Sequence, residues 1–240
     1  MLYQFDGTKN GFLTAFTRAY LDEEAVLSSK TIQPLIGQGQ VCVETDIELA
    51  KKTENRLLSF DRYCMEDLDI LLRSGMDNNE QIAFRYLRLL AKIKFPVGKR
   101  LAELDVFHAV ECMKKVRYEI HRFHGFIRFM ETASGALYAP FSPDNDICDL
   151  LAPYFKGRFP AFPFVLHDVK RMKAAVYDGK SIFLAPLTEA QVVISADEAE
   201  WQTLWKSYYS AVNIPSRERL QQMRGYMPTR YWKFLPEKQL

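Results

Sequence analysis

Residues 119–146 read EIHRFHGFIRFMETASGALYAPFSPDND, and the change of pattern inside this stretch decides the fold. Apolar residues recur at three- and four-residue steps from Lys99 onward, which predicts a long core helix that ends at Gly125. β-branched and aromatic residues then flank Ser134-Gly135, a composition typical of a hairpin with a tight turn. The sequence therefore predicts a helix that leads directly into a β-hairpin.

Strand patterns continue beyond the hairpin. FPFVLHDV, KAAVYD and SIFLAP are three further β-rich segments, and an Asp-Gly turn joins the last two. Before them, DNDICDLLAPYFKGRF predicts a short helix, with Asp144 or Asn145 placed to cap its first turn. We predict an α+β fold in which helices pack on a small, mainly antiparallel β-sheet built between Phe126 and Leu184.

The N-terminal part of the chain has mostly helical patterns. A short strand (LYQFDGT) precedes a helix, and a second strand (VCVETD) precedes another helix that Thr45-Asp46 is placed to cap. Further helices follow until Pro96 and Gly98 interrupt the pattern. We predict an acidic, mostly helical part over residues 1–97 and a basic α+β part over residues 98–240. One continuous domain is the alternative.

The composition is that of a globular protein. The 240-residue chain has 48% hydrophobic and 26% charged residues, without a run of apolar residues long enough to cross a membrane. Its N-terminus lacks the basic start and apolar core of a secretory signal. Cys42, Cys64, Cys112 and Cys148 are scattered, which is typical of reduced thiols. We expect a cytoplasmic protein with no membrane contact and no cysteine-bound metal.

Charge is distributed unevenly along the chain. Residues 1–80 hold 8 Lys/Arg and 14 Asp/Glu, a net charge of −6, whereas residues 81–240 hold 24 and 16, a net charge of +8. A basic second part favours the binding of a polyanion such as nucleic acid. Surface charge also serves solubility, so the asymmetry alone does not establish a nucleic-acid-binding protein.

Two histidines lie three residues apart near the end of the predicted long helix. His121 and His124 would project from one face, a spacing that can hold a divalent metal. The glutamate of an H-E-x-x-H motif is missing, and the nearby arginines would repel a cation. We expect no metal here. We expect instead a rim that contacts phosphate, or side chains that only complement the helix dipole. The rim consists of Arg117, His121, Arg122, His124 and Arg128.

Residues 213–240 mix basic and aromatic side chains. They carry six Lys/Arg and two Asp/Glu, a net charge of +4, with tyrosine, tryptophan and phenylalanine between them. Arginine binds phosphate and aromatic rings stack on bases, so the mixture is typical of contacts to single-stranded or distorted nucleic acid. The alternative is that the tail aromatics fold back onto the core. The predicted nucleic-acid contacts in this segment are Arg224, Arg230, Tyr231, Trp232 and Lys233.

Carboxylates near the histidines leave an enzyme open as an alternative. Asp144 and Asp146 could act with His121 or His124 in acid–base or metal-assisted hydrolysis of nucleic acid. More simply, they would form a turn and a helix cap. The chain has no G-x-S-x-G, P-loop or dinucleotide-binding motif. These four residues are the catalytic candidates, and we expect no cofactor.

Several segments together resemble a known family. They are HRFHGFIRF, YAPFSPDNDICDLLAPYFKGRF, YDGKSIFL, LWKSYYSAVNIPSRERL and MRGYMPTRYWKFLPE. These segments are similar to the domain of unknown function 4130. The N-terminal YQFDGTKNGFLTAFTRAY resembles the start of the bacterial DNA metabolism (DNA repair) proteins that carry this domain. The resemblance covers nearly the whole chain.

The resemblance implies a role in DNA metabolism with a radical-SAM protein as partner, and a similar domain is found joined to uracil-DNA glycosylase-like domains. It carries over no catalytic residue. The chain lacks the cysteine triad of a radical-SAM enzyme, so that chemistry would belong to the partner. We predict a DNA-binding accessory protein in repair or modification that acts with a radical-SAM partner. The alternatives are a nucleic-acid-processing enzyme and a purely structural partner subunit.

Overall fold

The computed structural model describes residues 1–31, 39–190, 192–217 and 219–239. The chain forms two compact units, Met1–Arg117 and Tyr118–Leu240, and the boundary between them falls inside one long helix. The predicted limit at residue 97, between an acidic and a basic part, stays a prediction. Within the described residues, no helix combines the length and apolar character needed to cross a bilayer.

The first unit combines a three-stranded sheet with helices. Its elements are β1 (Leu2–Gln4), α1 (Lys9–Ala19), β2 (Val26–Ser28), β3 (Gln40–Cys42), α2 (Ile47–Leu58), α3 (Cys64–Leu72), α4 (Asn79–Ile93) and the first part of α5 (Leu104–Phe126). The strands are parallel, in the order β2-β1-β3. Both predicted strand-then-helix pairs are confirmed, and Asp46 caps α2 by accepting the N–H of Leu49 at 2.9 Å.

The turn between β1 and α1 explains where the first helix begins. Asp6 accepts hydrogen bonds from the N–H and hydroxyl of Thr8 at 2.9 and 2.7 Å, and Thr8 accepts the N–H of Gly11 at 2.9 Å. These bonds, the Thr8 hydroxyl foremost, lower the pKa of Asp6. A Cβ at position 11 would lie 2.1 Å from Oδ1 of Asp6, so any larger residue there would displace the Asp6 carboxylate from its hydrogen bonds to Thr8.

The first unit has its own hydrophobic core, formed by the apolar faces of α1, α3 and α4. Phe16 on α1 and Phe84 on α4 meet edge to face, with ring centroids 5.7 Å apart. Tyr86 is fully buried, and its hydroxyl donates to Asp67 at 2.9 Å. The buried phenol is therefore satisfied inside the core.

α5 begins at Leu104, later than the predicted Lys99. The chain before it closes two turns instead, because the N–H of Arg100 donates to Val97 and the N–H of Glu103 donates to Arg100. The helix then continues through the predicted end and stops at Phe126.

The second unit contains a five-stranded sheet. Its elements are the end of α5, β4 (Met130–Glu131), β5 (Leu137–Phe141), α6 (Cys148–Arg158), β6 (Phe164–Asp168), β7 (Lys173–Tyr177), β8 (Ile182–Pro186), α7 (Glu198–Val212) and α8 (Leu220–Tyr226). Short 3-10 helices lie at Pro215–Arg217, Thr229–Phe234 and Pro236–Lys238. The strand order is β4-β5-β6-β7-β8. Only β5 and β6 pair in parallel among these strands. The predicted α+β fold with a mainly antiparallel sheet is confirmed.

The loop from β5 to α6 differs from the prediction. α6 connects the parallel strands β5 and β6, as such a pairing requires. The predicted cap by Asp144 or Asn145 is wrong, because the helix begins later, at Cys148. The N–H groups of both residues donate to the carboxylate of Glu119 on α5 instead.

Aromatic side chains fill the core of the second unit. Phe123 on α5 meets Phe141 on β5 with ring centroids 5.2 Å apart. Phe129 meets Phe155 on α6 and Phe164 on β6 at 5.1 and 5.8 Å. The sheet, α6 and the end of α5 therefore share one apolar interior.

Candidate nucleic-acid interface

A buried tyrosine anchors residues 228–239, which we call the C-terminal segment. Tyr231 is 1% exposed, and its ring lies 4.5 Å from that of Phe123. Its hydroxyl donates to Glu119 at 2.9 Å. Burial, and then the negative charge of Glu119, raise the pKa of Tyr231. Tyr231 was predicted to stack on a base, but it has no exposed ring to offer and folds back onto the core.

Glu237 forms a second anchor of the C-terminal segment. It is 3% exposed, and it accepts hydrogen bonds from Arg128 at 2.7 Å and from the indole of Trp205 at 2.8 Å. Burial alone would raise the pKa of Glu237, but hydrogen bonds from its own backbone N–H, Trp205 and Arg128 outweigh burial and lower it. Arg128, predicted to contact phosphate, is therefore paired with a buried carboxylate.

Glu119 on α5 is the centre of a buried polar network. Its Oε1 accepts the N–H of Asp144 at 2.9 Å and the hydroxyl of Tyr231, and its Oε2 accepts the N–H and side-chain amide of Asn145 at 2.8 and 2.7 Å. Arg230 lies 3.6 Å from Glu119 and 2.6 Å from Asp144. Glu119 is 3% exposed, and this many donors offset the cost of burying its charge.

The two carboxylates that the enzyme alternative requires are paired with cations. Asp144 pairs with Arg230 at 2.6 Å, and Asp146 pairs with Lys173. In the part of the chain that the structure describes, no group of three or more His, Cys, Asp or Glu side chains could hold a metal ion. These ion pairs suit a structural role for the loop after β5.

The histidines of the predicted rim have different surroundings. His121 is exposed, whereas His124 is half-buried with its ring stacked on Tyr154 at 3.9 Å. Burial, and then the neighbouring His121, lower the pKa of His124, which favours its neutral form. Because His121 is exposed and His124 is stacked and half-buried, His121 is the more accessible of the two to an anion.

Arg122 connects α5 to α8. Its guanidinium donates to the carbonyl of Gly225 at 2.8 Å and lies 4.8 Å from the ring centroid of Tyr118. Arg224, the residue before Gly225, is exposed. Arg122 therefore positions α8, and Arg224 is the predicted residue that faces solvent there. The last rim residue, Arg117, belongs to the first unit.

A groove lies between α7, α8 and the last 3-10 helix, and we call it the basic groove. It encloses about 360 Å³, and its lining includes Tyr209, Arg217, Arg219, Met223, Tyr226 and Lys238. No carboxylate is among the lining residues that the structure describes. The Tyr226 ring is 63% exposed. Cations and an accessible ring in one groove are the groups that phosphate and an unpaired base require.

Lys238 connects the C-terminal segment to the basic groove. Its ammonium donates to the hydroxyl of Tyr209 at 2.6 Å and lies 4.8 Å from that ring and 5.6 Å from the ring of Trp232. The indole of Trp232 donates to the carbonyl of Met227 at 3.1 Å. Trp232, predicted to contact nucleic acid, is thus half-buried, whereas the predicted Lys233 is exposed.

The predicted nucleic-acid contacts do not include five residues that line the groove: Tyr209, Arg217, Arg219, Tyr226 and Lys238. Both arginines contribute to the net positive charge of residues 213–240, but that count carries no information about which cations share a groove. Tyr209 lies on α7, outside the segment that the charge count singled out. The basic groove is therefore a tertiary feature of α7 and α8.

α7 carries an apolar stripe that is exposed. Trp201, Leu204, Tyr208 and Val212 follow at steps of three and four residues, and they are 60%, 60%, 59% and 54% exposed. The buried residue of this helix is Glu198. A stripe with helical spacing normally faces a core, but among the described residues of the second unit nothing covers most of this one.

The comparisons with known proteins give one match. A family model for a domain of unknown function, DUF4130, matches residues 77–237. No curated protein and no solved structure matches the chain. The matched range is more than half of the chain, and it includes the five-stranded sheet, the anchors of the C-terminal segment and the lining of the basic groove except Lys238. The chain therefore belongs to the DUF4130 family.

Proposed function

We propose that the protein is a cytoplasmic DNA-binding accessory protein in DNA repair or modification that acts with a radical-SAM partner. The basic groove carries this proposal. Arg217, Arg219 and Lys238 line it, and the described lining includes no carboxylate that would neutralise them. Clustered guanidinium and ammonium groups bind phosphate oxygens by charge-assisted hydrogen bonds and release counterions on binding.

Tyr226 favours DNA with an unpaired base as the ligand. Its ring is 63% exposed at the groove, where a base can stack on it. Stacking of this kind contributes about 1–3 kcal/mol per base and tolerates any sequence. A groove of about 360 Å³ accepts a nucleotide but not a duplex, so the expected ligand is single-stranded or distorted DNA.

The apolar stripe of α7 supports a protein partner. Trp201 and Tyr208 are 60% and 59% exposed, so a partner that covers them would remove roughly 90–150 Å² of surface for each ring. The repair context and the radical-SAM identity of the partner rest on the resemblance to bacterial DNA metabolism proteins. The same stripe also favours a second candidate, a purely structural partner subunit without DNA contact.

The test is fluorescence anisotropy of labelled single-stranded and duplex DNA over a salt series. We expect the wild-type protein to bind the single strand more tightly, with affinity that falls as salt rises. The double variant R217A/R219A should lose about tenfold or more in affinity and reduce the salt slope by about 1.4.

The matched control is K170A/K180A, which removes two exposed cations of the same unit that do not line the groove. It should bind as the wild type does. If both double variants lose the same DNA affinity, binding depends on the overall positive charge of the unit and not on the basic groove. Absence of binding at low salt would overturn the DNA proposal and leave the structural subunit.

A further inference from the structure

The first unit contains a cavity that the DNA-binding proposal does not use. It encloses about 1010 Å³, and all of its lining residues lie within residues 58–117. They come from the end of α2, the start of α3, the chain between α4 and α5, and Arg117 on α5. A volume of this order is typical of sites for small molecules and cofactors.

Two walls of the cavity carry opposite charge. Asp61, just before α3, and Glu66 and Asp67 in its first turn form the acidic wall. Asp61 is 9% exposed and the Asp67 side chain 17%, whereas Glu66 is exposed. Lys99 and Arg100 form the basic wall before α5, and both are exposed. A ligand with an anionic end and a hydrogen-bond-donating end would be held at both walls.

The carboxylate of Asp67 is held in position. Its Oδ2 accepts the hydroxyl of Tyr86 at 2.9 Å, and its Oδ1 lies 3.3 Å from the guanidinium of Arg117. Each carboxylate oxygen can accept a second hydrogen bond, so the acidic wall retains capacity for a donor on a ligand. A group fixed in this way binds with little further loss of conformational freedom.

The cations of the basic wall have no acidic partner in the part of the chain that the structure describes. Neither Lys99 nor Arg100 forms an ion pair with any residue that the structure describes. By contrast, Arg117 at the same cavity has a partner in Asp67. Two unpaired cations beside a large cavity form a natural site for a phosphate group.

Two exposed rings lie at the same cavity, and we call them the aromatic rim. Tyr63 is 49% exposed and Phe95 is 66% exposed. The Arg62 guanidinium lies 4.5 Å from the Tyr63 ring centroid and donates to its hydroxyl, which holds that ring in place. Large rings exposed among charged groups offer a flat apolar surface on which a planar base can stack.

We propose that this cavity binds a nucleoside phosphate. The phosphate contacts the basic wall, the base stacks on the aromatic rim, and sugar hydroxyls or an exocyclic amine donate to the acidic wall. The nucleoside phosphate is either a free nucleotide or the terminal nucleotide of a nucleic-acid strand. The proposal is independent of the basic groove, which belongs to the other unit.

The experiment is isothermal titration calorimetry of the full chain with AMP, adenosine, inorganic phosphate and a 5′-phosphorylated oligonucleotide. We expect AMP to bind more tightly than adenosine or phosphate alone, since it engages both walls. The variant K99A/R100A should weaken AMP by about tenfold or more and leave adenosine unchanged. Asp67→Asn should instead weaken both AMP and adenosine.

The matched control is R85A/K92A, which removes two exposed cations of the same unit outside the cavity. It should bind AMP as the wild type does. If the 5′-phosphorylated oligonucleotide binds when AMP does not, and K99A/R100A weakens that binding, the cavity accepts the end of a strand and not a free nucleotide. No binding of any nucleotide at millimolar concentration, equal affinities for phosphate and AMP, or unchanged AMP binding in K99A/R100A would overturn the proposal.

The R217A/R219A variant separates this proposal from the DNA-binding one. It should retain AMP binding while it loses single-stranded DNA. If R217A/R219A loses AMP together with single-stranded DNA, the two sites are not independent and the cavity proposal fails.

Discussion

Two neighbouring stretches near the C-terminus have similar composition and opposite placement. Residues 217–226 expose Tyr226, which is 63% accessible, together with Arg219 and Arg224. The C-terminal segment buries Tyr231, which is 1% accessible. The difference lies in what each ring meets, because Tyr231 finds the carboxylate of Glu119 and the ring of Phe123. A basic aromatic composition therefore does not by itself indicate a binding surface.

The largest expected effect is on stability, because alanine substitutions at Tyr231 and Tyr226 should change the free energy of unfolding by very different amounts. Tyr231→Ala should lower the free energy of unfolding by about 3–5 kcal/mol, since it empties a core site and removes a donor from Glu119. Tyr226→Ala should change it by no more than about 0.5 kcal/mol, because its ring is exposed. Urea denaturation followed by circular dichroism measures both. Similar losses in the two variants would contradict the comparison.

A smaller effect is expected at the carboxylate that holds the C-terminal segment. Glu119→Gln would replace one carboxylate oxygen with an amide donor that faces the N–H of either Asp144 or Asn145, so the free energy of unfolding should fall by about 1–3 kcal/mol. Glu111→Gln, at an exposed pair with Lys114 on the same helix, is the matched control with an effect below about 1 kcal/mol. If Glu119→Gln is as stable as the control, the buried network does not anchor the segment.

For DNA binding we expect the opposite order, with a larger effect from substitution of Tyr226 than of Tyr231. Tyr226→Ala should weaken single-stranded DNA binding by about tenfold, the value of one lost stacking contact. Tyr231→Phe keeps the buried ring and should leave the affinity unchanged. Anisotropy at one salt concentration measures both. A greater loss in Tyr231→Phe would place the DNA contact on the C-terminal segment.

The smallest effect is a pH dependence from Glu237. Its pKa is lower in the folded chain than the usual 4.5, so it contributes stability that is present above pH 4.5 and lost as pH falls through the folded pKa. The difference in unfolding free energy between wild type and Glu237→Gln should therefore be largest near neutral pH and narrow on acidification. Glu200→Gln, at an exposed glutamate on α7, is the control. If the difference in unfolding free energy between wild type and Glu237→Gln stays constant from neutral to acidic pH, the lowered pKa of Glu237 is contradicted.

Much of the fold was predictable because periodicity is a local property. The apolar stripe along α5 and the turn at Gly135 each depend on residues that are close in sequence, so the sequence predicts both the helix and the hairpin. β2 was not predicted, since a three-residue strand gains its stability from pairing with β1 rather than from its own pattern.

The candidate site was less predictable because its contacts are long-range. The hydrogen bond from Tyr231 to Glu119 joins residues 112 positions apart, which no local pattern reports. Glu119 itself gave a usable signal. It lies three residues after Val116 and four before Phe123, on the apolar face of α5, where a charged side chain requires buried partners.

The anchor at Tyr231 also has a consequence for protein synthesis. The ribosome makes the C-terminal segment after the whole five-stranded sheet, so a nascent second unit carries Glu119 without its last donor until that segment emerges. A chain interrupted before Tyr231 would keep a charged gap beside Phe123 and would expose its interior to proteases. The tyrosine thus makes synthesis of the C-terminal segment a condition for a closed, protease-resistant unit.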